Sequence, residues 1–399
     1  MSTVYQQLLE YATRCPVINT HSHHIVHEQQ RDLGLQYLLE NSYVAWRSNP
    51  PGNTPGSREA YLAPLRSLSC FHWLERGLQA ACGMAEPLTV STWDAYDRRV
   101  RELTSDPDHH WRVLEHDCGY ARIILDSLAP CGIQQERPAL FAPTYRVNMY
   151  AYGYQDDLRD HNGRHPQLCC NWEQMPSTYS DYIDRMAEEI KAAKEKGHVA
   201  LKSALAYDRS LDFQPVSRQQ AAAGYRNPKA TPQQILDFQN GVYDEFCAIA
   251  AELDLPFQNH TGLGLLKHSN AMQLRPAIER HPRTQFVLFH GGYPWLQDVL
   301  GLTMTYTNTY ADLCWLPLLS TSACERFLME LLEMTPLHRI AWGCDTWHSF
   351  ESLGAVLAIR EVLATVFARK VSDGSLSLQN AMAGIESILY TGPKALYKM

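Results

Sequence analysis

Pro16-Val17-Ile18-Asn19-Thr20-His21-Ser22-His23-His24 is the stretch on which the reading of the fold turns. A short apolar run near the chain start leads straight into a His-x-His pair. On a strand, residues i and i+2 point to the same side, so His21 and His23 offer two imidazoles to one ion. Alone the pair is weak: with 17 histidines in 399 residues, roughly 0.7 such pairs arise by chance. Its weight comes from what lies downstream. His24 and His27 fall past the expected strand end and are read as loop or supporting residues.

Seven more β-like runs follow the first, Pro16–His21: Tyr120–Asp126, Phe141–Met149, His198–Leu205, Leu255–Thr261, Gln285–Gly291, Thr307–Cys314 and Arg339–Asp345. Helical patterns lie between them, the clearest at Tyr179–Lys196, Pro232–Leu253, Ala271–Arg280, Ala323–Leu332 and Leu353–Lys370. Thr231-Pro232 is a helix start, with threonine as cap and proline in the first turn. Buried strands alternating with amphipathic helices argue for a parallel sheet, and eight units for a closed (β/α)8 TIM barrel spanning 1–399.

Two stretches exceed a minimal barrel. Residues 28–115 contain Trp46, Trp73, Trp93 and Trp111 and the breaker Asn49-Pro50-Pro51-Gly52-Asn53-Thr54-Pro55-Gly56. They read as a mostly helical insertion after the first strand. Residues 207–229 follow the fourth strand as a loop on the active-site side. Each is either a cover for the substrate or an enlargement of the fold or a subunit contact, since loops after barrel strands sit on the functional face.

Composition excludes more than it assigns. Hydrophobic residues make up 45% and charged residues 20%, and the net charge is −8, which gives no reason to expect a nucleic-acid partner. No apolar run is long enough to span a membrane. The first sixteen residues read as an amphipathic helix and not as a leader. Eleven cysteines without zinc-ribbon or thioredoxin spacing suit free thiols in a cytoplasmic protein. A homo-oligomer is left open.

Three later runs end on a metal-capable side chain and a turn: Asn259-His260-Thr261-Gly262, Phe289-His290-Gly291-Gly292 and Gly343-Cys344-Asp345-Thr346. Any one of these histidines is explained by a structural hydrogen bond. Four such strand ends on one barrel face are not. His21, His23, His260, His290 and Asp345 form a set that suits Zn²⁺ or another divalent ion such as Mn²⁺. Lys202, inside the apolar run Val199-Ala200-Leu201-Lys202-Ser203, needs a partner if buried. It either points outward, contacts an anionic substrate, or carries a carbamate that bridges two metals. Whether one or two ions bind stays open.

This order of motifs resembles the amidohydrolase superfamily of metal-dependent barrels. Leu201-Lys202-Ser203-Ala204-Leu205-Ala206-Tyr207, Asn259-His260-Thr261-Gly262, Leu288-Phe289-His290-Gly291-Gly292-Tyr293-Pro294 and Gly343-Cys344-Asp345 resemble its amidohydrolase-2 branch. They are most similar to the FluG-like and nodulin-like barrel domain that precedes a glutamine-synthetase domain in some fungal and plant proteins. The resemblance covers Pro16–His27 and about Gly197 to the C-terminus. No glutamine-synthetase domain is expected here, and Leu265 stands where many relatives have an acidic residue.

The resemblance implies hydrolysis of an amide or related C–N (or ester) bond in a small, carboxylate-bearing substrate. His21, His23 and His260 would hold the ion, and Asp345 would carry the proton as base and then acid. His290 would polarise the carbonyl or serve as a ligand. Lys202, Tyr207 and Arg209 would grip a substrate carboxylate, with Trp347 and His348 lining the pocket. Alternatives that use similar ligands are non-oxidative decarboxylation of an aromatic or unsaturated acid and uronate-type isomerisation. A non-catalytic metal-binding barrel is the alternative outside enzymes.

Overall fold

A computed structural model describes residues 3–25, 31–49, 51–127 and 137–399. Its eight strands are β1 (Val17–Ser22), β2 (Tyr120–Leu125), β3 (Phe141–Arg146), β4 (Ala200–Ser203), β5 (Phe257–Asn259), β6 (Phe286–Leu288), β7 (Thr309–Asp312) and β8 (Ile340–Ala341). They pair in parallel, each with the next in sequence order. Beyond the ladder, β8 meets β1 again. Thr20 N donates to Trp342 O at 3.2 Å, Asp345 N to His21 O at 2.9 Å and His23 N to Thr346 O at 3.0 Å. Gly343 permits that approach, because a Cβ there would lie 2.6 Å from His21 N. This is the (β/α)8 TIM barrel.

All eight expected strands are present; β1 runs one residue past its expected end, to Ser22, and the other seven are shorter than expected at their C-terminal ends. His260 directly follows β5, His290 lies in a turn after β6, and Asp345 comes after the short β8. The ladder stops, and the backbone then turns to aim these side chains inward. His290, Trp315 and Asp345 have φ of 62°, 60° and 60°. Each such non-glycine residue costs on the order of 1–3 kcal/mol, and such residues cluster at functional sites.

Helices Tyr179–Glu195, Pro232–Glu252, Leu296–Thr305, Thr321–Met334 and Ser349–Ser372 surround the strands. Thr178, Thr231 and Ser320 cap three of them by accepting from the backbone N–H of Asp181, Gln234 and Ala323; such caps are worth about 1 kcal/mol each. The expected helix at Leu353–Lys370 begins earlier, at Ser349, because the His348 side chain accepts from Glu351 N. No helix among the described residues is long and apolar enough to cross a membrane. The described cysteines are all free thiols.

The described part of 28–115 holds helices Leu35–Glu40, Pro55–Leu62, Ser69–Cys82, Trp93–Thr104 and His109–Arg112. Ser69–Cys82 crosses Ser349–Ser372 at a glycine pair. A Cβ on Gly77 would meet Phe350 O at 2.3 Å, and one on Gly354 would meet Trp73 O at 2.2 Å. Two backbones therefore touch, which only glycine allows. Trp73 Nε1 adds a hydrogen bond to Thr321 Oγ1 at 2.8 Å. In the 207–229 stretch, helix Arg218–Gly224 begins with a Ser217/Gln220 capping box. It packs on the outer helix Pro232–Glu252, where a Cβ on Gly224 would meet Gln234 O at 2.2 Å.

Candidate metal centre

The strand ends converge on two linked groups of donor atoms. His21, His23 and Asp126 form one and His290, Cys314 and Asp345 the other, each with ligand atoms within 4.8 Å of one another. Asp345 joins them: its Oδ1 lies 3.4 Å from His21 Nε2 and 3.2 Å from His23 Nε2. Asp126 Oδ2 is 3.9 Å from His21 Nε2. The His23 Nδ1 lies 2.9 Å from the Asp126 carbonyl oxygen, so it carries the hydrogen and Nε2 keeps its lone pair toward Asp345. A ligating histidine is typically oriented in this way, through its other nitrogen.

A second observation also fits a cation. His290 Nδ1 lies 2.9 Å from the Cys314 carbonyl and His260 Nε2 lies 3.3 Å from the Leu263 carbonyl. Carbonyls only accept, so each of these nitrogens carries its ring's hydrogen. The two remaining nitrogens, His260 Nδ1 and His290 Nε2, then face each other with lone pairs at 3.0 Å. Burial holds both rings below the ordinary imidazole range, His290 to about 4 and His260 well below its usual value, so neither readily takes a second proton to relieve the clash. Two buried lone pairs directed at each other suit an electrophile between or beside them. The donor set of imidazole and carboxylate matches a divalent metal.

Charges around the seat are tightly matched. Burial alone would raise the Asp345 carboxyl. The neighbouring His23, with His290 and Lys202, holds it below its ordinary value. Asp126 is likewise opposed by burial, but Arg146 brings it down to about 2, with Nη2 at 2.6 Å from Oδ2 and Nε at 3.2 Å from both oxygens. Burial draws His21 well below its ordinary range, with Lys202 adding to the effect. Lys202 points into the barrel and is buried, its Nζ 3.8 Å from the centre of the Phe289 ring. Burial lowers its ammonium to about 8, against the pull of Asp126 and Asp345.

The remaining sequence candidates divide. Tyr207 packs on His260 with ring centres 4.4 Å apart, and Trp347 stacks on His23 at 5.9 Å. Both line the seat. Arg209 does not: its guanidinium donates to Ser210 O, Asp212 O, Gln239 Oε1 and Asn240 Oδ1 and lies over Phe213, so its donors are committed inside the protein. His348 turns away too, its ring between Leu38 O and Glu351 N. His24 faces Ser22 Oγ at 2.6 Å, and His27 lies outside the described residues.

Sequence reasoning missed four residues here. Asp126 had the same signature as the other strand ends, an apolar run closing on a carboxylate, and was legible. Arg146, at the end of β3, was legible as a charge inside an apolar strand. Cys314, after β7, gave no signal beyond its position. Tyr43, from the insertion, gave none. It stacks on Trp315 at 4.3 Å, and burial, with the nearby Asp345 carboxylate adding to it, pushes its phenol well above the ordinary value. Its backbone N donates to Glu351 Oε1 at 2.8 Å.

The barrel and the ligand geometry at its C-terminal face define an enzyme of the metal-dependent barrel class. Residues 180–352 match the amidohydrolase family. Protein fluG of Emericella nidulans is 28% identical over 249 residues, which cover 57% of this chain and 28% of that protein. The chain therefore matches under a third of that relative's length. Uronate isomerase of Thermotoga maritima superimposes with a TM-score of 0.81 at 15% identity, over 100% of this chain and 98% of that one. Glucuronate isomerase of Caulobacter crescentus gives 0.78 at 16% identity, over 99% and 94%. Residues 180–352, somewhat under half of the chain, are thus similar to the amidohydrolase family, and these likenesses together support the amidohydrolase superfamily.

Proposed function

We propose that the chain is a metal-dependent hydrolase that cleaves an amide or related C–N (or ester) bond in a small carboxylate-bearing molecule. The observation that carries this reading is Asp345, an ionised, buried carboxylate within 3.4 Å of both His21 and His23 Nε2. His21 and His23, with Asp345 or Asp126, would hold a zinc ion, and His260 and His290 a further contact or a second ion. The ion's contribution is Lewis acidity, which polarises a carbonyl oxygen and makes water more acidic.

The chain's own groups do the rest. Asp345 takes one proton from the attacking water while its oxygen bonds to the acyl carbon. As the C–N bond breaks, the same proton passes to the leaving nitrogen. With its hydrogen committed to the Cys314 carbonyl, His290 has no donor for a substrate carbonyl. A ligand role therefore suits it better than a polarising one. Lys202 supplies positive charge for a substrate carboxylate, and Tyr207 and Trp347 shape the cavity. Tyr43 extends the insertion onto Asp345, which is the basis for reading 28–115 as part of the substrate cover.

A second reading is isomerisation of a uronic acid. It draws on the likeness to the two isomerases, which extends over the insertion as well as the barrel. Products decide between them. The zinc- or manganese-loaded enzyme should free an amine or acid from a panel of N-acyl amino acids and carboxylate-bearing amides. A ketose from uronic acids would replace the hydrolase reading with isomerisation, and CO₂ from aromatic acids with decarboxylation.

A further inference from the structure

The segment after β3 carries a histidine that the metal seat does not use. The backbone N of His161 donates to Asp208 Oδ1 at 2.9 Å, and its Nδ1 lies 2.8 Å from Asp208 Oδ2. Asn148 Nδ2 donates to the same Oδ2 at 3.2 Å. The Asp208 side chain is 5% exposed and that of His161 24%. An ionised carboxylate only accepts, so Nδ1 carries the hydrogen and Nε2 of the neutral ring keeps a lone pair.

Two anchors place this ring over the β3–β4 sector of the barrel mouth. On one side, the neighbouring Asn162 accepts from Arg146 Nη1, and Arg146 holds Asp126 beside His21. On the other, His161 packs on Tyr207 at 5.1 Å, and Tyr207 packs on His260. The turn itself is already tied down by the His161 backbone bond and by Asp160 Oδ1, which accepts from Asn162 N and Arg164 N. The imidazole thus adds something a latch does not need: an acceptor of fixed tautomer, partly exposed, beside the residues that line the seat.

We propose that His161, oriented by Asp208, forms a head-group subsite that accepts a hydrogen bond from an O–H or N–H of the substrate. It selects a hydroxy- or amino-carboxylic acid over the counterpart that lacks this donor. The proposal rests on the reading above that the mouth over His21, His23 and Asp345 is where substrate sits. It adds the chemistry of the substrate's head.

Binding tests this independently of turnover. The metal-loaded protein is titrated by calorimetry with 2-hydroxybutyrate, 2-aminobutyrate and 2-methoxybutyrate. The wild type should bind the hydroxy or the amino acid about tenfold tighter than the methoxy acid, the scale of one hydrogen bond. The better of the two identifies the donor as O–H or N–H. His161→Ala should abolish the preference. In Asp208→Asn the amide donates to Nδ1 and moves the ring hydrogen to Nε2, which then donates to a hydroxyl or a methoxy oxygen alike, so the preference for the hydroxy acid over the methoxy acid should disappear. Equal or undetectable binding of all three acids by the wild type overturns the proposal, as does a tenfold preference retained in His161→Ala. A protein that shows the preference yet releases no product from the amide panel keeps the subsite and loses the hydrolase reading.

Discussion

The family-matching segment 180–352 and the insertion 31–115 both reach Asp345, by different means. The first brings His260, His290 and Asp345 itself through strand ends, whose direction follows from ladder and turn. The second brings Tyr43 through a chain of tertiary contacts: a glycine-mediated helix crossing at Gly77 and Gly354, and the Glu351 carboxyl on Tyr43 N. A strand end is aimed by its own sequence. A residue delivered by an insertion is aimed by residues hundreds of positions away. The two routes should therefore fail differently when broken.

The strand-end route has the largest expected effect. Asp345→Asn keeps the shape and loses the proton carrier, so turnover of the hydrolysed substrate should fall about 10³-fold, within the range of a lost acid–base group. Circular dichroism and melting should stay close to wild type. Turnover near wild type would remove Asp345 from the proposed role and leave the seat as a binding site alone.

The difference also explains what could be read in advance. The eight strands, their order and the positions of His21, His23, His260, His290 and Asp345 follow from apolar runs that end in a turn. Nothing comparable governs the loops. Trp347 and His348 are neighbours, yet Trp347 stacks on His23 while His348 caps the next helix. Arg209 follows Tyr207 by two residues and turns into Gln239 and Asn240 on an outer helix. Beyond a strand end the chain has no period, so which neighbour faces the mouth is settled by long-range packing. Asp126 and Arg146 did have the strand-end pattern.

Breaking the insertion's docking should cost stability before activity. Gly354→Ala puts a Cβ 2.2 Å from the Trp73 carbonyl oxygen, a backbone atom that cannot swing aside. Forcing the helices apart should destabilise by about 2 kcal/mol, in the range of an overpacked core, seen as a lower urea midpoint. An unchanged midpoint would mean that the Ser69–Cys82 helix is free to shift. Tyr43→Phe removes only the hydroxyl that reaches Asp345 and keeps the ring on Trp315. Turnover should drop up to about tenfold, the upper scale of a lost polar contact beside a buried carboxylate, with the melting point little changed. Equal activity would show that the insertion covers the seat without touching its chemistry.

The smallest effect lies in the anchor between the two routes. Glu351 is buried, and burial raises its carboxyl from 4.5 to about 8, with Asp345 adding to the rise and the Tyr43 and Trp347 backbone bonds opposing it. Its folded form holds a proton that the unfolded chain releases near 4.5. Stability from this group is therefore fully present below about 4.5 and is lost as pH rises toward 8, where the buried acid must ionise. Glu351→Gln keeps an oxygen for Tyr43 N and has no proton to lose. Urea midpoints measured from pH 5 to 8 should thus decline less with pH in Glu351→Gln than in wild type, with the two closest at pH 5. Parallel pH profiles would show that Glu351 is already ionised in the fold. Tyr43 would then be anchored by a charge-assisted hydrogen bond, which is stronger than the neutral one inferred here.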